Sequence, residues 1–403
     1  MVNISKFGED YLLLALRIDK HIKGYVDFYY GPEKLRKVVE NESLTSPSKL
    51  LKDSIVLIQK IKTQGYSKER EHYLETLLTA MKTSIEILIG TEISIKDQFR
   101  KLYDLDLQPA DEAELYNLKE EYEEAYKGSG TLEDRMHRLR ITRKVPESKV
   151  YKFFKKAVEI TEKRTKELFI DLLPINEKII IDIVKIDESK EKIKWSCYNW
   201  YLGKYTSRIE VNPNYQMYWT AFLSFSSHET YPGHHTEFVL KEKRLYRQFN
   251  QFEHSILILH SPKLVISEGI ANKAISILFS NQEVAEIGLK EFCSDPSKEV
   301  SLEELELQDK VKAKIPLFWY NFAYHALVDG YDEKKLKRYG KSFEIFSKED
   351  IITGIQRISN PTYSNNAFIY YIGNNLLQNY GDVPSLKDFQ NLLVNPILPS
   401  DLI

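Results

Sequence analysis

A dense cluster of histidines and carboxylates lies in residues 226–240, and a proline-glycine step interrupts it. Three of the nine histidines in the chain, His228, His234 and His235, fall within eight residues. At about 100° per residue, the fourth residue after His228 would return to its helix face, but that residue is Pro232. Proline removes a backbone hydrogen bond from a helix, so a straight helix through this stretch is disfavoured. The sequence therefore predicts a bulge or kink in the middle of this polar segment.

The position of the bulge decides which histidine can act together with His228. A bulge that absorbs two residues returns His234 to the place that the second histidine holds in a helical His-Glu-x-x-His motif. On a straight helix, His235 would point about 20° from His228 but lie roughly 10 Å further along the axis. A zinc hydrolase needs two neutral imidazoles, a third ligand and a carboxylate that takes a proton from water. We predict His228 and His234 as metal ligands, with His235 as the alternative to His234, and Glu229 as the general base.

A single acidic residue, Glu268, stands in the otherwise apolar helical run of residues 264–279. Burying a lone carboxylate is costly unless a positive group pairs with it, and a metal ion would be such a partner. The segment between His228 and Glu268 is long enough for one helix to end and a second to pack alongside it. Glu268 is therefore predicted to be the third ligand. The alternative is a carboxylate near a helix start that the helix dipole stabilises without any metal.

These residues resemble the paired motifs of the family catalogued as domain of unknown function 885. The first motif runs from His228 to His235, and the second runs from Ser267 to Ala271. The resemblance extends over most of the second half of the chain, through residues 205–213, Arg357, Pro361, the Tyr370-Tyr371-Ile372-Gly373 run and the segment 388–399.

Members of that family are predicted metallopeptidases with a zincin-like architecture and a glutamate as the third metal ligand. The resemblance implies that His228, one of His234 and His235, and Glu268 hold one zinc ion per chain, and that Glu229 is the general base. It also implies that Arg357 and Tyr370 hold a substrate carboxylate or stabilise an oxyanion, with Tyr371 and His325 as further candidates for substrate contact. We expect His325 to be structural.

Hydrophobic periodicity predicts a mainly α-helical fold with a small antiparallel or mixed β-sheet. Residues 1–175 are predicted to form a helical N-terminal subdomain, and residues 176–403 a catalytic subdomain with the sheet, the metal-binding helices and the C-terminal helices. Three short β-rich runs, at residues 179–184, 192–200 and 207–211, predict the strands. By the zincin resemblance, the last of them is expected to be an edge strand along the cleft, where an extended substrate pairs with it.

The charge and the apolar content narrow the classes of partner. The chain has 57 lysines and arginines against 59 aspartates and glutamates, a balance that argues against a nucleic-acid partner or a polybasic membrane surface. Its two cysteines are predicted to be free thiols in a reducing compartment. The first twenty residues lack a charged-then-apolar leader pattern, and no segment of 18 apolar residues occurs. We therefore expect a cytoplasmic protein with no membrane partner.

The sequence thus predicts a zinc-dependent hydrolase that cleaves peptide or amide bonds, most consistent with a peptidase or a carboxypeptidase-like enzyme. Its predicted partner is a peptide or a small amide substrate. One alternative is a metal-containing helical binding or scaffold protein without catalysis. Another is a hydrolase of a small non-peptide amide or ester.

Overall fold

The computed structural model describes residues 3–185, 195–360 and 364–403, which form a mainly α-helical protein with two small sheets. This confirms the predicted mainly α-helical class with a small sheet. Within these ranges, no helix is both long enough and apolar enough to cross a membrane. The α-helices are α1 (Lys6–Asp19), α2 (Glu33–Asn41), α3 (Pro47–Lys60), α4 (Lys68–Leu88), α5 (Ile95–Tyr103), α6 (Leu118–Ala125), α7 (Leu132–Arg143), α8 (Glu147–Leu168), α9 (Phe222–Glu229), α10 (His234–Lys241), α11 (Pro262–Leu278), α12 (Asn281–Glu291), α13 (Leu302–Lys312), α14 (Ile315–Leu327), α15 (Glu333–Ser342), α16 (Lys348–Ile358), α17 (Asn366–Leu376) and α18 (Leu386–Val394). The strands are β1 (Val26–Tyr29), β2 (Lys178–Ile183), β3 (Cys197–Gly203), β4 (Thr206–Val211) and β5 (Ile256–Ile258).

The larger sheet is mixed and has the strand order β2-β4-β3. β2 runs parallel to β4, and β3 runs antiparallel to it through a tight hairpin. All three predicted β-rich runs contain a strand, which confirms the small sheet. Residues 192–194 of the second run, like Pro361 of the family resemblance, lie outside the described residues.

The predicted edge position of the last strand is wrong, because β4 lies at the centre of the sheet. It pairs with β2 from Lys178–Thr206 to Ile183–Val211, and its other side pairs with β3. A strand with hydrogen bonds on both sides has no free backbone groups to offer a substrate. The physical reason is that β2, which precedes the β3–β4 hairpin in the sequence, pairs in parallel with β4 rather than with its sequence neighbour β3. The order of the strands along the chain does not reveal this pairing.

A second sheet of two strands lies in regions that the sequence predicted as helical. β1 pairs antiparallel with β5, and its register shifts between Val26 and Phe28, which leaves Asp27 as the bulged residue. Each strand is short, and its partner is more than two hundred residues away in sequence. Local periodicity therefore carries little signal for either strand.

The apolar cores combine residues from both predicted subdomains. One buried cluster joins α1 to α4 with Phe252, Ile256 and Ile258. The largest cluster joins α5 and α6 with α11, α14, α17 and α18. The division of the chain at residues 175 and 176 stays a prediction.

Candidate metal centre

The break between α9 and α10 contains a two-residue bulge. The Gly233 N–H donates to the carbonyl of Ser227 at 2.9 Å, and the Thr236 N–H donates to the carbonyl of Thr230 at 3.3 Å. Both bonds join residues six apart, whereas an α-helix joins residues four apart. The bulge thus takes up two residues, so His234 returns to the side of the chain that carries His228, as the spacing predicted.

Gly233 occupies a position with no room for a side chain. A Cβ atom there would lie 2.1 Å from the carbonyl oxygen of His228 and 2.4 Å from that of Ser227. We expect Gly233→Ala to lower the free energy of unfolding by about 3 kcal/mol, measured by urea denaturation, because the bulge must open. The control is Gly330→Ala, where a Cβ meets nothing within 4 Å but φ is +68°, with an expected loss of about 1 kcal/mol. Equal losses for the two variants would contradict the crowding argument.

The bulge brings His228, His234 and Glu268 into one group. Their candidate ligand atoms all lie within 4.8 Å of one another. The Nε2 atom of His228 is 3.5 Å from Glu268 Oε2, and the Nε2 atom of His234 is 3.7 Å from Glu268 Oε1. Tetrahedral coordination with bonds of about 2.0–2.1 Å places neighbouring ligand atoms about 3.4 Å apart. The spacing of the three side chains therefore fits a small tetrahedral metal ion.

Glu268 carries the clearest sign of a missing positive partner. Its side chain is buried, with the residue 9% exposed, and its Oε2 atom has no hydrogen-bond partner among the described residues. Burial, and after it the carboxylates of Glu229, Asp27 and Glu237, raise the pKa of Glu268 well above its ordinary value. An unpaired buried carboxyl oxygen is costly, and a divalent cation between the three side chains would remove that cost.

Both histidines of the group are held in the neutral form that a metal ligand requires. Burial lowers the pKa of His234 to about 4. Burial and the neighbouring His234 lower the pKa of His228 well below its ordinary value. The two rings meet edge to face, with their centroids 4.8 Å apart.

A chain of hydrogen bonds fixes the tautomer of His234. Ser267 donates its hydroxyl proton to Glu237 Oε2 at 2.6 Å, and the other Glu237 oxygen accepts from Lys241 Nζ at 2.6 Å. The hydroxyl has only one proton, so its oxygen acts as the acceptor for His234 Nδ1 at 3.1 Å. Nδ1 therefore carries the hydrogen, and Nε2 presents its lone pair to the group. Asn272, four residues after Glu268 on α11, lies beside His228 and raises the pKa of its ring against the effect of burial.

We expect Ser267→Ala to weaken zinc binding by about tenfold to a hundredfold, because His234 loses the acceptor that holds its ring and tautomer. The measurement is competition for zinc with a chelator of known affinity. Ser276→Ala is the matched control, since this serine lies on the same helix and, among the described residues, bonds only the carbonyl of Lys273. Unchanged affinity in Ser267→Ala would show that the hydroxyl does not position the ligand.

Glu229 ends α9 directly after the first histidine. Its carbonyl accepts a hydrogen bond from Asn199 Nδ2 on β3 at 2.6 Å, which ties the end of the helix to the sheet. Burial, and after it the charge of Asp27, raise the pKa of Glu229 to about 8. Glu229 is not part of the three-residue ligand group, so its carboxylate is available for proton transfer.

Helices α11 and α17 cross in close contact beside the site. A Cβ atom on Gly269 would lie 2.4 Å from the carbonyl oxygen of Gly373, and a Cβ atom on Gly373 would lie 2.6 Å from that of Val265. Only glycines allow the two backbones to approach this closely. Gly269 follows Glu268, and Gly373 lies one turn after Tyr370, so the crossing places Tyr370 beside the ligand group.

Tyr370 and Arg357 lie near the group and are exposed. Tyr370 is 41% exposed, and the Glu268 carboxylate, burial and Glu229 together raise its pKa well above the ordinary value. Its hydroxyl therefore stays protonated and can donate a hydrogen bond. Arg357 is exposed on α16, and its positive charge is close enough to Tyr370 to oppose the rise in the pKa of the tyrosine.

The structure does not bring His235 into the ligand group. Its ring is fully buried, with Nδ1 2.8 Å from Ser207 Oγ and Nε2 2.9 Å from Glu177 Oε2. Both ring nitrogens are thus occupied by protein partners, so the alternative to His234 lacks a free lone pair.

Two further candidates contact other parts of the protein. Tyr371 packs its ring against Tyr320 at 4.7 Å. His325 bonds Asp329 at 2.7 Å and stacks on Tyr331. These contacts give both side chains structural partners.

Sequence reasoning missed the polar residues that the β-strands bring to the site. Asp27 of β1 accepts a short hydrogen bond from the hydroxyl of Tyr198 on β3, and Asn199 holds the end of α9. The signal for Asp27 was weak, namely one acidic residue between valine and aromatic residues. Its importance depends on long-range strand contacts, which the sequence alone did not reveal.

Comparisons with known proteins bear on the fold alone. No protein-family model and no curated protein matches the sequence. A solved structure from Colwellia psychrerythraea, described as a "putative lipoprotein", is 13% identical with a TM-score of 0.51, over 92% of this chain and 68% of that one. A "putative lipoprotein of unknown function" from Shewanella oneidensis is 12% identical with a TM-score of 0.49, over 91% and 74% of the two chains. The chain thus shares its overall fold with the Colwellia protein, and its resemblance to the domain of unknown function 885 family stays a prediction.

Proposed function

We propose that this protein is a zinc-dependent hydrolase that cleaves peptide or amide bonds. The observation that carries the proposal is the group of His228, His234 and Glu268, in which a buried carboxyl oxygen lacks a partner. Two neutral imidazoles and one carboxylate are a common ligand set for catalytic zinc. A bound zinc ion would supply a Lewis acid and lower the pKa of a water molecule to about 7.

Glu229 is the proposed general base. It would take a proton from the attacking water and then deliver it to the leaving amine. Burial holds its pKa near 8, and a bound cation would bring this value down toward neutrality. A carboxyl group whose pKa is close to the working pH both accepts and releases a proton readily.

Tyr370 is the proposed hydrogen-bond donor to the carbonyl oxygen of the substrate, and Arg357 the proposed partner for a substrate carboxylate. Tyr198 is unsuited to the donor role because its only hydroxyl proton goes to Asp27. The close crossing of α11 and α17 holds Tyr370 next to Glu268. The sheet, the bulged motif helix and a glutamate on the next helix together support a zincin-like architecture for this site.

The test combines zinc content with hydrolysis. Purified protein is analysed for metal by mass spectrometry, then incubated with a mixture of short peptides whose products are identified, with and without a chelator. We expect about one zinc per chain and a cleavage activity that the chelator removes and added zinc restores. Stoichiometric zinc without any hydrolysis of peptides or small amides would instead favour a structural metal site.

A further inference from the structure

Asp27 has the position of a binding residue rather than that of a structural one. It is the extra residue of the bulge in β1, and such bulges redirect a side chain out of the alternating pattern of a strand. Its carboxylate reaches across to β3, where Oδ1 accepts the hydroxyl proton of Tyr198. The next residue on β3, Asn199, bonds the carbonyl of Glu229. The strand β3 thus links Asp27 to the end of α9, through Tyr198 on one face and Asn199 on the other.

The charge of Asp27 acts directly on the site. The negative charge of Asp27 is the second cause, after burial, of the raised pKa of Glu229. The same charge also raises the pKa of Glu268. Burial brings the pKa of Asp27 itself to about 6, while the bond from Tyr198 works against the rise, so Asp27 is ionised at pH 7.

Neither the metal group nor a described cation uses this carboxylate. Asp27 is not among the three grouped ligands, and its pKa reflects burial and Tyr198 without any contribution from a described lysine or arginine. A divalent ion brings two positive charges against three carboxylates, those of Asp27, Glu229 and Glu268. When Glu229 is ionised and ready to act as the base, the zinc-loaded site thus keeps one negative charge. Asp27 also has an oxygen that Tyr198 does not occupy.

We propose that Asp27 binds the free α-ammonium group of the substrate, so that the enzyme acts on the amino-terminal end of short peptides and amino-acid amides. An ammonium group offers three hydrogen-bond donors and the missing positive charge. Because an extended residue spans about 3.5 Å, an ammonium group held beside Glu229 lies within a few residues of the bond that is cleaved. The location of that bond rests on the proposed hydrolase function, whereas binding of the ammonium group can be tested without it.

The test measures binding in the zinc-loaded Glu229→Gln protein, which keeps the peptide intact. Trialanine and N-acetyl-trialanine are titrated by calorimetry into this variant alone and combined with Asp27→Asn. We expect trialanine to bind about tenfold to a hundredfold more tightly than its acetylated form, and Asp27→Asn to remove that difference by weakening only trialanine.

Two further variants separate binding from folding. Tyr198→Phe removes the bond to Asp27 but keeps the carboxylate, so the preference for trialanine should persist. Asp182→Asn is the matched change on β2, which lies at the edge of the three-stranded sheet opposite to β3. It should have no effect on the preference for trialanine. The proposal is overturned by equal binding of the two peptides, by no binding of either, or by a preference that survives Asp27→Asn. The binding site would be supported and the hydrolase function refuted if the preference depends on Asp27 but the wild-type protein releases no alanine from trialanine.

Discussion

Replacement of Glu229 with glutamine is expected to lower kcat/KM for peptide hydrolysis by about 10²–10⁴-fold while the zinc content stays at that of the wild type. Glutamine has nearly the same shape but cannot accept a proton from water. Glu229 lies outside the ligand group, so the change leaves His228, His234 and Glu268 in place. The measurement pairs initial rates on one cleaved peptide with metal analysis of the same sample.

The control for this variant is Glu286→Gln, an exposed glutamate on α12. It should leave both rate and zinc content unchanged. Full activity in Glu229→Gln would remove Glu229 from the mechanism. Loss of zinc together with activity would instead assign it a role in holding the metal.

Replacement of Glu268 with alanine is expected to reduce the zinc content from about one ion per chain to near none. The variant loses the ligand that faces both histidines, at 3.5 Å and 3.7 Å. It also loses a buried carboxyl oxygen without a hydrogen-bond partner, and removing such a group relieves a desolvation cost.

Thermal unfolding gives a second readout of the Glu268→Ala variant. Added zinc should raise the Tm of the wild type and leave that of Glu268→Ala unchanged, because a ligand stabilises only a state that binds it. In zinc-free samples, the variant should be at least as stable as the wild type. A zinc-free variant that is markedly less stable would mean that Glu268 holds the fold together through contacts other than a metal.

The sequence predicted that His228, His234 and Glu268 come together, because this inference depends on local chemistry. The spacing from His228 across Pro232 and Gly233 indicated a two-residue bulge, and the structure contains one. The solitary carboxylate of an apolar helix pointed to Glu268, which the structure brings to both histidines. Each inference needed only helix geometry and the cost of burying a charge.

The remaining parts of the site depend on contacts between distant segments. The central place of β4 follows from its parallel pairing with β2, and the place of Asp27 follows from the pairing of β1 with β5. Glu177, far upstream of the histidines, bonds His235 and holds its ring away from the ligand group, a contact that the motif does not reveal. The local periodicity of the sequence gives no information on any of these pairings.

The glycine crossing of α11 and α17 has a consequence for engineering this protein. A Cβ atom on Gly269 or Gly373 would meet the backbone of the other helix, so the separation of the two helices depends directly on these two positions. A library that varies the exposed residues around Arg357 and Tyr370 is therefore expected to alter the proposed substrate preference while the proposed metal ligands stay in place. The same library should leave both glycines fixed, since a single methyl group at either position would displace Glu268 and Tyr370 at once.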